Sequence, residues 1–164
     1  PLFDERPDLA IAFVGDGPQV EQVAEIYEGT HAVFTGPLHG EELAQAYASA
    51  DAFIFPSQSE TLGLVILEGM ASGLPVLAAD SAPTREQITD NVNGLIFDQG
   101  DLSTLTDAID RMEDDDFRLS LSRNARLEAE KFSWTAASAE LFAYYEQTIQ
   151  THQGVEDRYY IRQQ

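Results

Sequence analysis

The segment SETLGLVILEGMASGLPVLAAD, residues 59–80, carries Glu60 and Glu68 on either side of Gly63 and an apolar run. A carboxylate accepts two hydrogen bonds from a vicinal diol, so two of them bordering one elongated ligand suit a sugar or a ribose. Between them, Leu62, Gly63, Leu64 and Val65 open an expected helix, with Thr61 as its N-cap. The free amides of that first turn and the positive end of the helix dipole can hold a diphosphate. Gly63 lets the phosphate approach the backbone directly. Such a device matters here, because Lys131 is the only lysine in the chain. The same residues also read as an amphipathic helix with two solvated glutamates, and taken alone the segment leaves both readings open.

Other chemistry-bearing residues are less well placed. GDGP (15–18) puts Gly15 and Gly17 after an expected strand, either as a plain tight turn or as a ligand-lining one. A dinucleotide fingerprint needs a third glycine where Val20 stands. MEDDDF (112–117) falls between two helical patterns and reads as a solvated junction rather than a metal motif. His31, His39 and His152 lack metal-ligand spacing, and His39 alone falls in a candidate ligand loop. No Ser-His-Asp or Cys-His arrangement is suggested, and the absence of cysteine excludes disulfides and thiolate metal sites.

The elements that must position these residues follow from hydrophobic period. Short apolar runs at 9–15, 31–36, 51–57, 74–80 and 93–98 read as strands. Helical spacing marks 19–29, 40–50, 62–72 and 83–88, with Gly29 and Gly73 as stops. From residue 101 the pattern is wholly helical, in three segments, the last running from Ser133 to Gln150. The residues from His152 onward show no clear period and are expected to form a loose tail. Strands alternating with helices predict an α/β fold with a mostly parallel, doubly wound Rossmann-like sheet and a helical C-terminal tail. Ligands then belong beyond the carboxyl ends of the strands, in the loops 15–18, 35–40, 56–63 and 80–85.

At 164 residues the chain is about one domain long. A net charge of −20 argues against nucleic acid and against a basic lipid-binding patch. No apolar run approaches the ~18 residues of a membrane span, no signal peptide is visible, and a cytoplasmic setting is expected.

The E-x7-E spacing of Glu60 and Glu68, together with GDGP, FTGPLHGEELAQAYASADAFIFPSQSETLGLVILEGMASGLPVLAAD and NGLIFD, resembles the donor-binding domain of retaining GT-B glycosyltransferases. Within that fold the likeness is to the large family 4, across roughly residues 9–150. The stretch 34–63 is similar to sulfoquinovosyl-diacylglycerol synthases and to GDP-mannose-dependent mannosyltransferases. The resemblance implies that Glu68 holds the ribose hydroxyls of a UDP- or GDP-sugar. Glu60 would contact the transferred hexose as the catalytic carboxylate, and the amides of Leu62 to Val65, next to Thr61, would hold the diphosphate. Phe34, Thr35, Gly36, Pro37 and Leu38 would border the base, while Gly15 and Gly17 would line the floor of the cleft.

It further implies no divalent metal and a nucleotide-sugar-binding domain over 1–152, followed by a tail at 153–164. The family's phosphate-contacting Arg and Lys, and its acceptor domain, are expected upstream of Pro1. Any membrane contact would be made through that domain, and the chain alone is expected to be inactive. Where the family has paired glycines after the fourth strand, this chain reads SAPTREQI (81–88), with Glu86 aligned to a family glutamate. A GT-B nucleotide-sugar epimerase is the alternative enzyme. A flavodoxin-like signalling domain would need a strand-end aspartate and a nearby lysine, but Asp51 opens its strand and Lys131 lies in the helical region.

Overall fold

The computed structural model describes residues 6–161, with side chains through His152. Among the described residues are five strands and seven helices, which alternate as expected as far as the fifth strand. The order begins β1 (Ile11–Val14), α1 (Val20–Ile26), β2 (Ala32–Gly36), α2 (Gly40–Ala48) and β3 (Phe53–Phe55). It continues with α3 (Leu64–Ala71), β4 (Val76–Ala79), α4 (Ala82–Gln87) and β5 (Gly94–Phe97). Three consecutive helices complete it: α5 (Leu102–Arg111), α6 (Asp115–Ala129) and α7 (Trp134–Ile161).

Every strand pairing is parallel, but the described strands pair as two sheets, β1–β2 and β3–β4–β5. β4 is central in its sheet and buried along its whole length. Val76 and Ala78 face a cluster with Ile66, Met70, Ala125 and Ala129 from α3 and α6. Leu77 and Ala79 face the opposite way, onto Leu95, Phe97, Ala108, Met112 and Leu121. Successive strand side chains point to opposite faces, so a run without polar residues is what a sheet covered on both sides requires.

Cover is thinner at β1 and β2. Their residues alternate between half-buried and exposed, and neither α1 nor α2 buries a residue. An ion-pair cluster and a ring contact are among the ties that join this half to the rest. Arg6, ahead of β1, pairs at 2.5 Å with both Asp110 and Glu113 at the end of α5. On α2, the Tyr47 ring meets Phe53 of β3 edge-on at 5.7 Å.

The acidic run at 112–117 is a helix junction, as its position suggested: Asp114 caps α6 by accepting from the Phe117 amide at 3.1 Å. The loose tail expected from His152 is instead helical backbone through Ile161. A helix satisfies its own backbone polar groups, so it can continue where amphipathic period fades. Leu141, Phe142 and Tyr145 on α7 are each at least half exposed, as is Trp134. No helix among the described residues is long and apolar enough to cross a membrane.

Asp101 caps α5, accepting from the Ser103 amide at 3.0 Å and the Ser103 hydroxyl at 2.7 Å. These bonds, the hydroxyl's first, hold its carboxyl below the usual carboxylate range. A lowered native pKa means stability present above the unfolded value and lost as pH falls through the folded one. Asp101→Asn keeps a capping oxygen without the titrating charge. Its melting temperature is therefore expected to fall less than the wild type's between about pH 5 and pH 3. Equal falls in the two proteins would reject this linkage.

Candidate functional site

Within each sheet the parallel strands end on one side, and the loops leaving them carry the residues singled out above. β3 ends at Phe55, and the polar loop Pro56–Leu62 leads into α3. Two neighbours hold this loop from below. The Gln99 amide donates to the Pro56 carbonyl at 2.7 Å. The buried Gln87 of α4 donates to the Leu62 carbonyl through Nε2, while its Oε1 has no partner. Ser57 donates to Glu60 Oε1 at 3.1 Å, which orients that carboxylate at the loop's rim.

Thr61 is not the N-cap. Gly63 takes that place, in the left-handed conformation at φ 62° and ψ 47°, with no side-chain hydrogen bond to the first turn. The physical reason is steric. A turn at positive φ favours a residue without Cβ, and a Cβ at Gly63 would also press on Ile66 Cδ1 at 3.3 Å. The helix thus starts at Leu64, and Leu64 and Val65 supply its first-turn amides. Thr61, Leu62, Leu64 and Val65 are all exposed around this bare helix end, and Gly63 is buried beneath it. Glu68 follows one turn later, exposed, accepting a hydrogen bond from the Tyr47 hydroxyl at 3.1 Å.

A second group of residues meets at the ends of β1 and β2. The Gly15 amide donates to the Gly36 carbonyl at 2.9 Å, and Thr35 Oγ1 donates to that same carbonyl at 2.8 Å. Gly15 and Gly36 both have positive φ, with open space where a Cβ would stand. Conformation rather than crowding demands glycine there. Gly17 sits in the Asp16 turn, its amide donating to the Asp16 carboxylate at 2.7 Å. Phe34 stacks on Phe13 at 4.7 Å, ahead of the Pro37-Leu38 segment that enters α2 behind His39, its N-cap. Gly15, Gly17 and the 34–38 loop are thus gathered at one rim, and Glu60 to Glu68 at another.

The loop after β4 is closed on itself. Arg85 grips Asp80 with two bonds of 2.5 Å, and Ser81 caps α4 by accepting from the Thr84 amide. Glu86 is exposed on that short helix. Among the described residues no three His, Asp or Glu side chains converge as metal ligands would.

Sequence reasoning did not single out Tyr47, Ser57, Gln87 or Gln99. Tyr47 lies in LAQAYA, where its spacing from Leu43 reads as an ordinary packing position. Gln87 carries no signal in sequence, because its burial depends on how α4 meets the 56–63 loop.

Parallel sheets under helices, with loops at the strand ends and a bare helix N-terminus among them, match the fold of GT-B glycosyltransferases. The chain belongs to the family of glycosyl transferases group 1, whose family model matches residues 2–128. It is similar to sulfoquinovosyl transferase SQD2 of Arabidopsis thaliana, 43% identical over 144 residues that make up 85% of this chain and 28% of that protein. It is also similar to a GDP-mannose-dependent alpha-mannosyltransferase of Corynebacterium glutamicum, 34% identical over 92% of this chain and 36% of that one. Among solved structures, Alr3699/HepE of Anabaena in complex with UDP superposes with a TM-score of 0.75 at 22% identity. That match covers 89% of this chain and 44% of that one. The chain therefore spans about a third of the length of the curated relatives it matches.

Proposed function

We propose that this chain is the nucleotide-sugar-binding domain of a longer retaining glycosyltransferase that transfers a hexose-type sugar. The observation that carries the reading is the pair Glu60 and Glu68 flanking the uncapped N-terminus of α3, with Gly63 in left-handed conformation between them. The first-turn amides and helix dipole hold the donor's diphosphate. Glu68 accepts from the ribose hydroxyls, and Glu60 from hydroxyls of the sugar. The 34–38 loop borders the base, and Gly15 and Gly17 line the cleft. Departure of the diphosphate leaves negative charge beside the helix end, where preorganised amides stabilise it without reorganising. A second domain brings the acceptor, and with it any contact with a membrane. Family membership, together with relatives whose names specify sugar transfer, supports this reading over a non-catalytic sheet domain.

The test is a ligand-observed NMR titration of the chain with UDP, UDP-glucose, GDP and GDP-mannose, beside Glu68→Ala. One base is expected to bind selectively. The variant is expected to weaken it about 10- to 100-fold, as loss of hydrogen bonds to a charged acceptor does. Binding that survives Glu68→Ala unchanged would remove Glu68 from the site.

A further inference from the structure

We propose that Tyr47 is a positioning residue for the donor's ribose, acting through Glu68; the inference rests on the donor-site reading above. Glu68 stands on the exposed side of α3, where a long side chain would sample several rotamers. The Tyr47 hydroxyl, reaching from α2, takes one of its carboxylate oxygens at 3.1 Å. The other oxygen keeps both lone pairs, enough for a vicinal diol when the carboxylate is held in one orientation.

Tyr47 is itself held. Its ring meets Phe53 edge-on at 5.7 Å and 70°. The Phe53 ring in turn lies directly over Gly69, the residue after Glu68, where a Cβ would come within 2.9 Å of Phe53 Cδ1. Bare backbone at position 69 thus lets the Phe53 ring settle against α3, and Tyr47 settles against Phe53. Strand β3, helix α2 and helix α3 fix the hydroxyl and the carboxylate relative to one another before any ligand arrives. That preorganisation spares the ordering cost at binding. Burial, and next the bond to Glu68 and its charge, push the Tyr47 phenol up to about 12. It therefore stays a proton donor throughout the neutral range.

The experiment compares a ribonucleoside diphosphate, UDP or GDP as the titration above selects, with its 2′-deoxy and 3′-deoxy forms. The proteins are the wild type, Tyr47→Phe, Glu68→Gln and the double variant. Tyr47→Phe keeps the ring against Phe53 and removes only the hydroxyl. The wild type is expected to prefer the ribo form, and Tyr47→Phe to lose about 5-fold of that preference while binding a deoxy form nearly as the wild type does. Adding Tyr47→Phe to Glu68→Gln is expected to change the preference little further, because both act on one contact. A Tyr47→Phe protein that keeps the full preference, or weakens ribo and deoxy forms equally, overturns the positioning role while leaving the donor site standing. A wild type that fails to distinguish ribo from deoxy, or binds neither, overturns the Glu68 assignment and this inference with it.

Discussion

If the proposed function holds, replacing Glu60 by glutamine in the longer glycosyltransferase is expected to lower kcat by about 10²–10³-fold. The donor KM is expected to change far less. Glutamine preserves the shape of the side chain and can still accept from Ser57, which donates to Glu60 Oε1 at 3.1 Å. On the proposed reading, what it removes is the negative charge beside the transferred sugar. As the sugar–phosphate bond breaks, positive charge develops on the sugar, so a carboxylate held at its hydroxyls gains strength in the transition state. An interaction that grows only there lowers kcat rather than raising KM. Single-turnover kinetics with saturating donor would measure this. A kcat within a few-fold of wild type would place Glu60 outside the reacting centre and leave it as a loop carboxylate. A rise in KM at unchanged kcat would make it a donor-binding group.

Gly94→Ala is expected to destabilise the chain by about 2–4 kcal/mol. Gly94 opens β5 opposite Val76 of β4, the central strand of its sheet. A Cβ there would lie 2.8 Å from the Val76 carbonyl oxygen and 3.0 Å from Ile88 Cγ2. The first of these is backbone within a hydrogen-bonded ladder. It can retreat only by displacing a strand that is buried on both faces. Thermal or urea unfolding would read the loss. A shift of less than about 0.5 kcal/mol would mean that the ladder yields there more easily than its burial implies. The glycine of the NGLIFD stretch is therefore a packing requirement of the sheet, independent of any ligand.

Much of this molecule was legible in the linear pattern. The apolar run at 74–80 has no polar residue until Asp80, and only a strand covered on both faces has use for such a run; it is β4, the buried centre. Period alone separated the β–α alternation from the helical end, because side chains repeat every two residues on a strand and every 3.6 on a helix. The spacing of Glu60 and Glu68 around a glycine also singled out the region proposed as the site, since the local order strand, loop, glycine, helix is a property of consecutive residues.

What lay beyond the sequence were the relations between residues distant along the chain. Thr61 has the chemistry of an N-cap, yet Gly63 holds that position because the chain turns there in the left-handed conformation that favours a residue without Cβ. Periodicity also gave no reason to extend the last helix past His152, although its backbone continues to Ile161. Tyr47 is separated from Glu68 by a turn, a strand and a loop, and their hydrogen bond exists only once α2 and α3 sit beside β3. Local period and turn chemistry determine which elements form and in what order, because they depend on neighbours in the chain. Only close packing decides which side chains from separate elements meet, because that depends on shapes and volumes the linear order does not contain.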